Sequence, residues 1–189
     1  MKRIFVLILL LWSNVNFAQD IRMYTWGEAL SANPDSVYGI TFEKMKLKSL
    51  PDELKNFTQI KRLNLGKNKL VKIPNYIGDM SNLTYLNAER NQLTSFPIVV
   101  CRLTALEQLI VNRNNISEVP ACIEYATGLE YIDVYDNPIT KLPESLMNMG
   151  NLKKIDFTGI RFSPKFQDSW KERLPSVELI FDAPCDCMN

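Results

Sequence analysis

The sequence contains no histidine. That one absence removes His-based nucleophile triads, imidazole metal ligands and the commonest general base. Only seven glycines occur, none in a phosphate-cradling loop, and no paired C-x-x-C motifs mark a zinc site. Neither sign of charge is in excess: 22 Lys and Arg stand against 21 Asp and Glu. That balance argues against a general electrostatic attraction to nucleic acid. The apolar run from Ile4 to Trp12 is far shorter than the roughly 20 residues of a membrane-spanning helix. No cofactor or metal is expected, and any catalysis would have to rest on carboxylates.

Lys2 and Arg3 precede the apolar run, while polar residues and Ala18 follow it. This three-part pattern is that of a secretory signal peptide over residues 1–18. Cleavage after Ala18 removes two basic residues and changes the formal charge from +1 to −1. The mature chain is then expected to be secreted, periplasmic or at the cell surface, without a transmembrane segment. Export makes Cys101, Cys122, Cys185 and Cys187 candidates for disulfides. Four cysteines allow three complete pairings, and their spacing alone selects none.

What the chain does have is a repeat. Val37, Ile60, Leu83, Leu106, Leu129 and Leu152 are successively 23 residues apart. Aligned on them, the segments read "IKRLNLGKNKLVKIP", "LTYLNAERNQLTSFP", "LEQLIVNRNNISEVP" and "LEYIDVYDNPITKLP". An imperfect copy, "VYGITFEKMKLKSLP", precedes them with Met45 in the asparagine slot. A partial copy, "LKKIDFTGIRF", follows with Ile160 there.

The pattern L-x-x-L-x-L-x-x-N-x-L-x-x-L-P resembles the leucine-rich repeat family, in its short 23-residue form. The resemblance implies an α/β solenoid, curved, with a parallel sheet on the concave face and short helical or 3₁₀ turns on the convex face. The residues agree. The L-x-L element alternates apolar and other residues, as a half-buried strand does, and one repeat cannot bury its apolar face without its neighbours. Proline after each step (Pro51, Pro74, Pro97, Pro120, Pro143) favours an extended or turn backbone.

Five full repeats and a partial sixth span residues 37–163, with Val37 beginning the first strand. An N-terminal helical cap is expected over 19–36, its helix at Trp26–Ala32, with Trp26, Ala29 and Leu30 covering the first repeat. Residues 164–189 read as a cap helix from Pro164 to Leu174, an edge strand and a cysteine-containing tail. Asn68, Asn91, Asn114 and Asn137 share one slot and are expected to form an asparagine ladder, each amide meeting backbone groups of its own and the adjacent turn. Cys101 and Cys122 fall in adjacent repeats, so a bridge between neighbouring turns fits the geometry. Cys185 and Cys187 could pair with each other, bridge to another molecule or stay free.

The remaining chemistry lies on the concave sheet. Asp133 and Asp156 share a strand position in consecutive repeats and should sit about 5 Å apart. Such a pair can share a proton or bind a cation. The plainer expectation is two solvated aspartates partly neutralised by Lys154 and Arg113. A column of Lys44, Lys67, Arg90, Arg113, Asp136 and Gly159 lies just beyond, basic first and acidic later. Tyr85, Tyr131, Tyr135 and Ile110 supply large contact groups of the kind enriched at binding hot spots. Together with Arg62, Arg90, Arg113, Asp133 and Asp156 they form the expected footprint for a partner protein or peptide. The chain thus reads as a monomeric, non-catalytic, exported protein-interaction module. The alternatives are an envelope-associated structural protein that self-assembles, or a glycan-binding protein.

Overall fold

The computed structural model describes residues 21–182. The expected signal peptide and the tail cysteines Cys185 and Cys187 lie outside the described residues. Short strands recur along the chain: β1 (Tyr24–Thr25), β2 (Gly39–Thr41), β3 (Arg62–Asn64), β4 (Tyr85–Asn87), β5 (Gln108–Ile110), β6 (Tyr131–Asp133), β7 (Lys154–Asp156) and β8 (Glu178–Ile180). They form one open, curved sheet in chain order, with every adjacent pair parallel. Leu63 is in register with Leu86, Leu86 with Leu109, and Leu109 with Ile132. A slip of one residue would turn each of these buried side chains into solvent, which locks the register.

The convex face is built from five 3₁₀ turns: Asp52–Asn56, Asn75–Asp79, Ile98–Arg102, Ala121–Tyr125 and Glu144–Asn148. Each opens on a step proline in extended conformation, so the proline starts the outer turn as well as ending the step. Leu54, Ile77, Val100, Ile123 and Leu146 point inward from these turns and meet the strand leucines in one continuous core. Fully burying a side chain of this size contributes about 1.5–3 kcal/mol.

At the first end, α1 (Trp26–Leu30) is closed by a capping box between Thr25 and Glu28. The Trp26 ring lies 5.0 Å from Phe42 and 5.7 Å from Phe57. Three expectations need correction here. The helix stops at Leu30 rather than Ala32, and Leu30 is 56% exposed. One residue past buried Ala29 is a rotation of about 100° around a helix, which takes Leu30 off the covered face. The first repeat's strand begins at Gly39, two residues after buried Val37. A two-residue strand, β1, also precedes the helix and pairs with β2; it is too short to leave a periodic signal.

At the other end, α2 (Pro164–Arg173) starts at Ser163, whose hydroxyl accepts from Phe166 N–H. Trp170 and Leu174 are buried against the last repeat. Phe162 stacks on Phe166 at 4.3 Å, and Phe157 on Phe181 at 5.3 Å. β8 follows and ends the sheet.

Candidate functional site

The concave face is positioned by the turns that leave it. Asn91 donates its amide to Leu65 O (3.0 Å), Ala88 O (3.1 Å) and Glu89 O (3.2 Å), and its Oδ1 accepts from Leu70 N–H. Asn68, Asn114 and Asn137 repeat this arrangement with the equivalent backbone groups. Each buried amide therefore ties its own turn to the preceding one. Among the described residues, no buried side-chain nitrogen or oxygen lacks a partner.

The residue before each ladder position has a left-handed backbone: Lys67 (φ 58°), Arg90 (49°), Arg113 (50°), Asp136 (53°) and, in the partial repeat, Gly159 (78°). Lys44 does the same before Met45. The column that reads from sequence as a stripe of charge is thus also a column of unusual φ, each non-glycine member costing roughly 1–2 kcal/mol. Its backbone N–H groups run along the stack, from Lys67 to Glu89 O, Arg90 to Asn112 O and Arg113 to Tyr135 O. Gly159 N–H ends the series on the Asp182 carboxylate at 2.8 Å. Glycine at 159 was the signal in the sequence that this slot demands positive φ.

A second row also has a backbone role. Thr41, Asn64, Asn87, Asp133 and Asp156 each accept a hydrogen bond from the N–H two residues ahead. These are the side-chain-to-backbone turns that short polar residues favour. Ile110 is the one member without an acceptor. The expectation of two solvated aspartates partly neutralised by Lys154 and Arg113 needs correction: Asp133 is buried, Asp156 is half-buried, and both cations pair elsewhere. Asp133 accepts from Asn112 Nδ2 and Tyr135 N–H. Lys154 turns to Glu178 (3.2 Å), and Arg113 to Tyr135 Oη (3.2 Å) and Asp136 (3.7 Å). Burial chiefly pushes the Asp133 carboxyl above its ordinary range, the charges of Asp156 and Glu89 adding to it. Among the described residues, no group of three or more acidic or cysteine side chains could hold a metal.

Two arginine–tyrosine pairs stand on this face, one on β3 and β4 and one in the turns just past β5 and β6. The Arg62 guanidinium lies 4.2 Å from the Tyr85 ring centre, and that of Arg113 lies 5.1 Å from Tyr135. Such contacts hold flexible arginines against rigid rings. Tyr131, half-buried on β6, has its pKa pushed up to about 12 by burial and by Asp133 and Asp156. Lys67 bridges Glu43 (2.8 Å) and Glu89 (3.4 Å), its charge offsetting the repulsion between the two carboxylates. The hydrogen bond from Lys67 keeps the Glu43 carboxyl below its usual range. Arg90 is exposed, and Ile110 and Asp156 are half-buried on the same face. Glu43, Glu89 and Asn112 belong to this surface as well, in the outward slot of the repeat that Tyr135 shares; their partners, 21 to 24 residues away, are what the repeat left open.

On the convex side, Cys101 and Cys122 form a disulfide with a Cα separation of 5.6 Å, joining adjacent 3₁₀ turns. No helix among the described residues is long and apolar enough to cross a membrane.

Residues 42–178 match the family described as leucine-rich repeat region. A comparison with curated proteins finds no match. Among solved structures, the chain is similar to a leucine-rich repeat protein of Leptospira interrogans, with 24% identity and a TM-score of 0.54, over 77% of this chain and 47% of that one. It is also similar to the leucine-rich repeat ectodomain of the plant membrane receptor kinase GASSHO1/SCHENGEN3 from Arabidopsis thaliana, solved in complex with Casparian strip integrity factor 2. There the identity is 25% and the TM-score 0.63, over 79% of this chain and 18% of that one. The chain thus spans less than half the length of either.

Proposed function

The chain belongs to the leucine-rich repeat family, and from that premise we propose that it is an exported, non-catalytic module that docks a partner protein or peptide on its concave sheet. The observation that carries this reading is the pair of arginine–tyrosine contacts, Arg62 on Tyr85 across β3 and β4, and Arg113 on Tyr135 in the turns just past β5 and β6, with both strand pairs locked in register. Tyrosine and arginine are enriched where binding energy concentrates. Their prior ordering reduces the entropy lost on association. The face is mixed in charge, with Arg62 and Arg90 toward one end and Asp136, Asp156 and Glu178 toward the other. A partner with an acidic patch opposite the first and basic groups opposite the second would be favoured. The plant ectodomain of the same fold, solved with a bound factor, supports the choice of a polypeptide ligand.

The test is a pull-down with the mature chain, followed by affinity measurement on the captured partner. Tyr131→Ala with Tyr135→Ala should weaken binding at least tenfold while a cooperative melting transition is retained. Equal affinity in the double variant would move the footprint off this face. Mass measurement of the exported product tests cleavage after Ala18.

A further inference from the structure

A second surface lies off the sheet, on the edge where the turns leave β2 and β3. We propose that this edge docks onto anionic lipid headgroups, independently of the concave-face reading. Lys44, Lys46 and Lys48 alternate along the first turn, and Lys69 and Lys72 follow in the next. Lys69 N–H donates to Leu47 O at 2.8 Å, so the two segments run side by side. Lys44 leans toward Glu43 at 3.5 Å. Lys46, Lys48, Lys69 and Lys72 are exposed, and among the described residues none of them forms an ion pair with a carboxylate.

Two exposed apolar side chains sit among these cations: Met45 at 46% and Val71 at 48% exposure. Met45 occupies the slot that Asn68, Asn91, Asn114 and Asn137 fill in later repeats, where the amide is buried. A thioether cannot serve the backbone groups that an amide serves. The first turn has a left-handed residue on each side of it, Lys44 at φ 60° and Lys46 at φ 58°; the later turns have only one. The second left-handed lysine adds backbone strain that glycine would spare. Strain, an outward methionine and uncompensated cations coincide on one edge, and none of the three helps the stack.

The ligand class follows from the mixture. Each lysine near an anionic membrane contributes about 1 kcal/mol, and clusters of four or more bind such surfaces. Aliphatic groups beside them can enter the boundary between headgroups and acyl chains. Neither segment carries an aromatic residue on which a nucleic-acid base could stack. Bulk charge near zero does not oppose this, because the attraction acts within a Debye length of about 8 Å.

The experiment is sedimentation of the mature chain with lipid vesicles at low and physiological salt. Vesicles with about 30% phosphatidylglycerol should bind it, pure phosphatidylcholine should not, and salt should weaken the binding. Lys48→Gln, Lys69→Gln and Lys72→Gln together should weaken partitioning about 100-fold. These positions lie outside the left-handed column, so the unfolding midpoint should stay unchanged. Met45→Ser with Val71→Ser should weaken it several-fold and leave the salt dependence intact. Equal partitioning into both vesicle types, or an unaffected triple-lysine variant, would overturn the proposal. Polyglutamate bound as tightly as the vesicles, with the apolar double variant indistinguishable from wild type, would also overturn it and assign the lysines to an acidic protein.

Discussion

Asn112 donates its side-chain amide to Asp133, 21 residues later and one turn along the stack. The carboxylate it meets also accepts from Tyr135 N–H, yet burial outweighs both bonds and leaves the Asp133 pKa raised. Between the ordinary aspartate pKa and this raised value, the folded chain holds a proton that the unfolded chain has released. Stability from this group is therefore greatest at low pH and falls as pH rises through that window. Asp133→Asn should remove the slope. The amide oxygen keeps the acceptor for Tyr135 N–H, as Asn87 does for Glu89, and its NH2 requires the Asn112 amide to turn over and present its oxygen. The stability of the variant relative to wild type is expected to rise with pH across the carboxylate range and to level off below it. Urea unfolding across this pH range measures it.

Asn91→Ala should destabilise the fold by about 1–3 kcal/mol, because Leu65 O, Ala88 O and Leu70 N–H lose their shared partner. Asn82→Ala, at an exposed site with only long contacts, should stay within about 0.5 kcal/mol. Comparable losses from the two substitutions would remove the ladder's special role.

Gly159→Ala should cost roughly 1–2 kcal/mol. Its φ is 78°, and an added Cβ would meet Asp136 N at 3.1 Å and the Tyr135 ring at 3.2 Å. Asp136→Gly, in the same column, should change stability by less than about 1 kcal/mol, since relief of strain opposes added chain entropy. Thermal unfolding of both variants tests the column.

Replacing Cys101 and Cys122 with alanine should lower stability by about 2–4 kcal/mol. The bridge closes a loop between residues 21 apart and staples neighbouring outer turns. Reductant should lower the wild-type urea midpoint toward that of the variant. A midpoint that ignores reductant would argue against the pairing.

The repeat was legible because its period is invariant. Leu63, Leu86, Leu109 and Ile132 recur at one spacing, and the sheet register repeats that spacing strand by strand. Leu30 misled because local apolarity reports neither helix length nor the direction of a side chain. Met45 was visible as a gap in the asparagine row, but its exposure, between two left-handed lysines, was not. The Asp133–Asp156 pair looked like open chemistry, whereas hydrogen bonds to Tyr135 N–H and Thr158 N–H give both carboxylates turn roles. The pattern of short polar residues two positions before each turn carried that information and was readable in principle.

The amino-acid sequence by itself determined the repeat length, the residues facing the core, the slot of the asparagines and the proline opening of each outer turn. Those features follow from apolar periodicity and local backbone preference, which act over a few residues. Tertiary structure decided that Lys154 pairs with Glu178, that Arg113 covers Tyr135, and that Cys101 joins Cys122. These partners come from different turns, 21 to 24 residues apart, and meet only when the turns stack. Which of several nearby groups a long side chain then reaches depends on its direction and on the backbone φ beneath it.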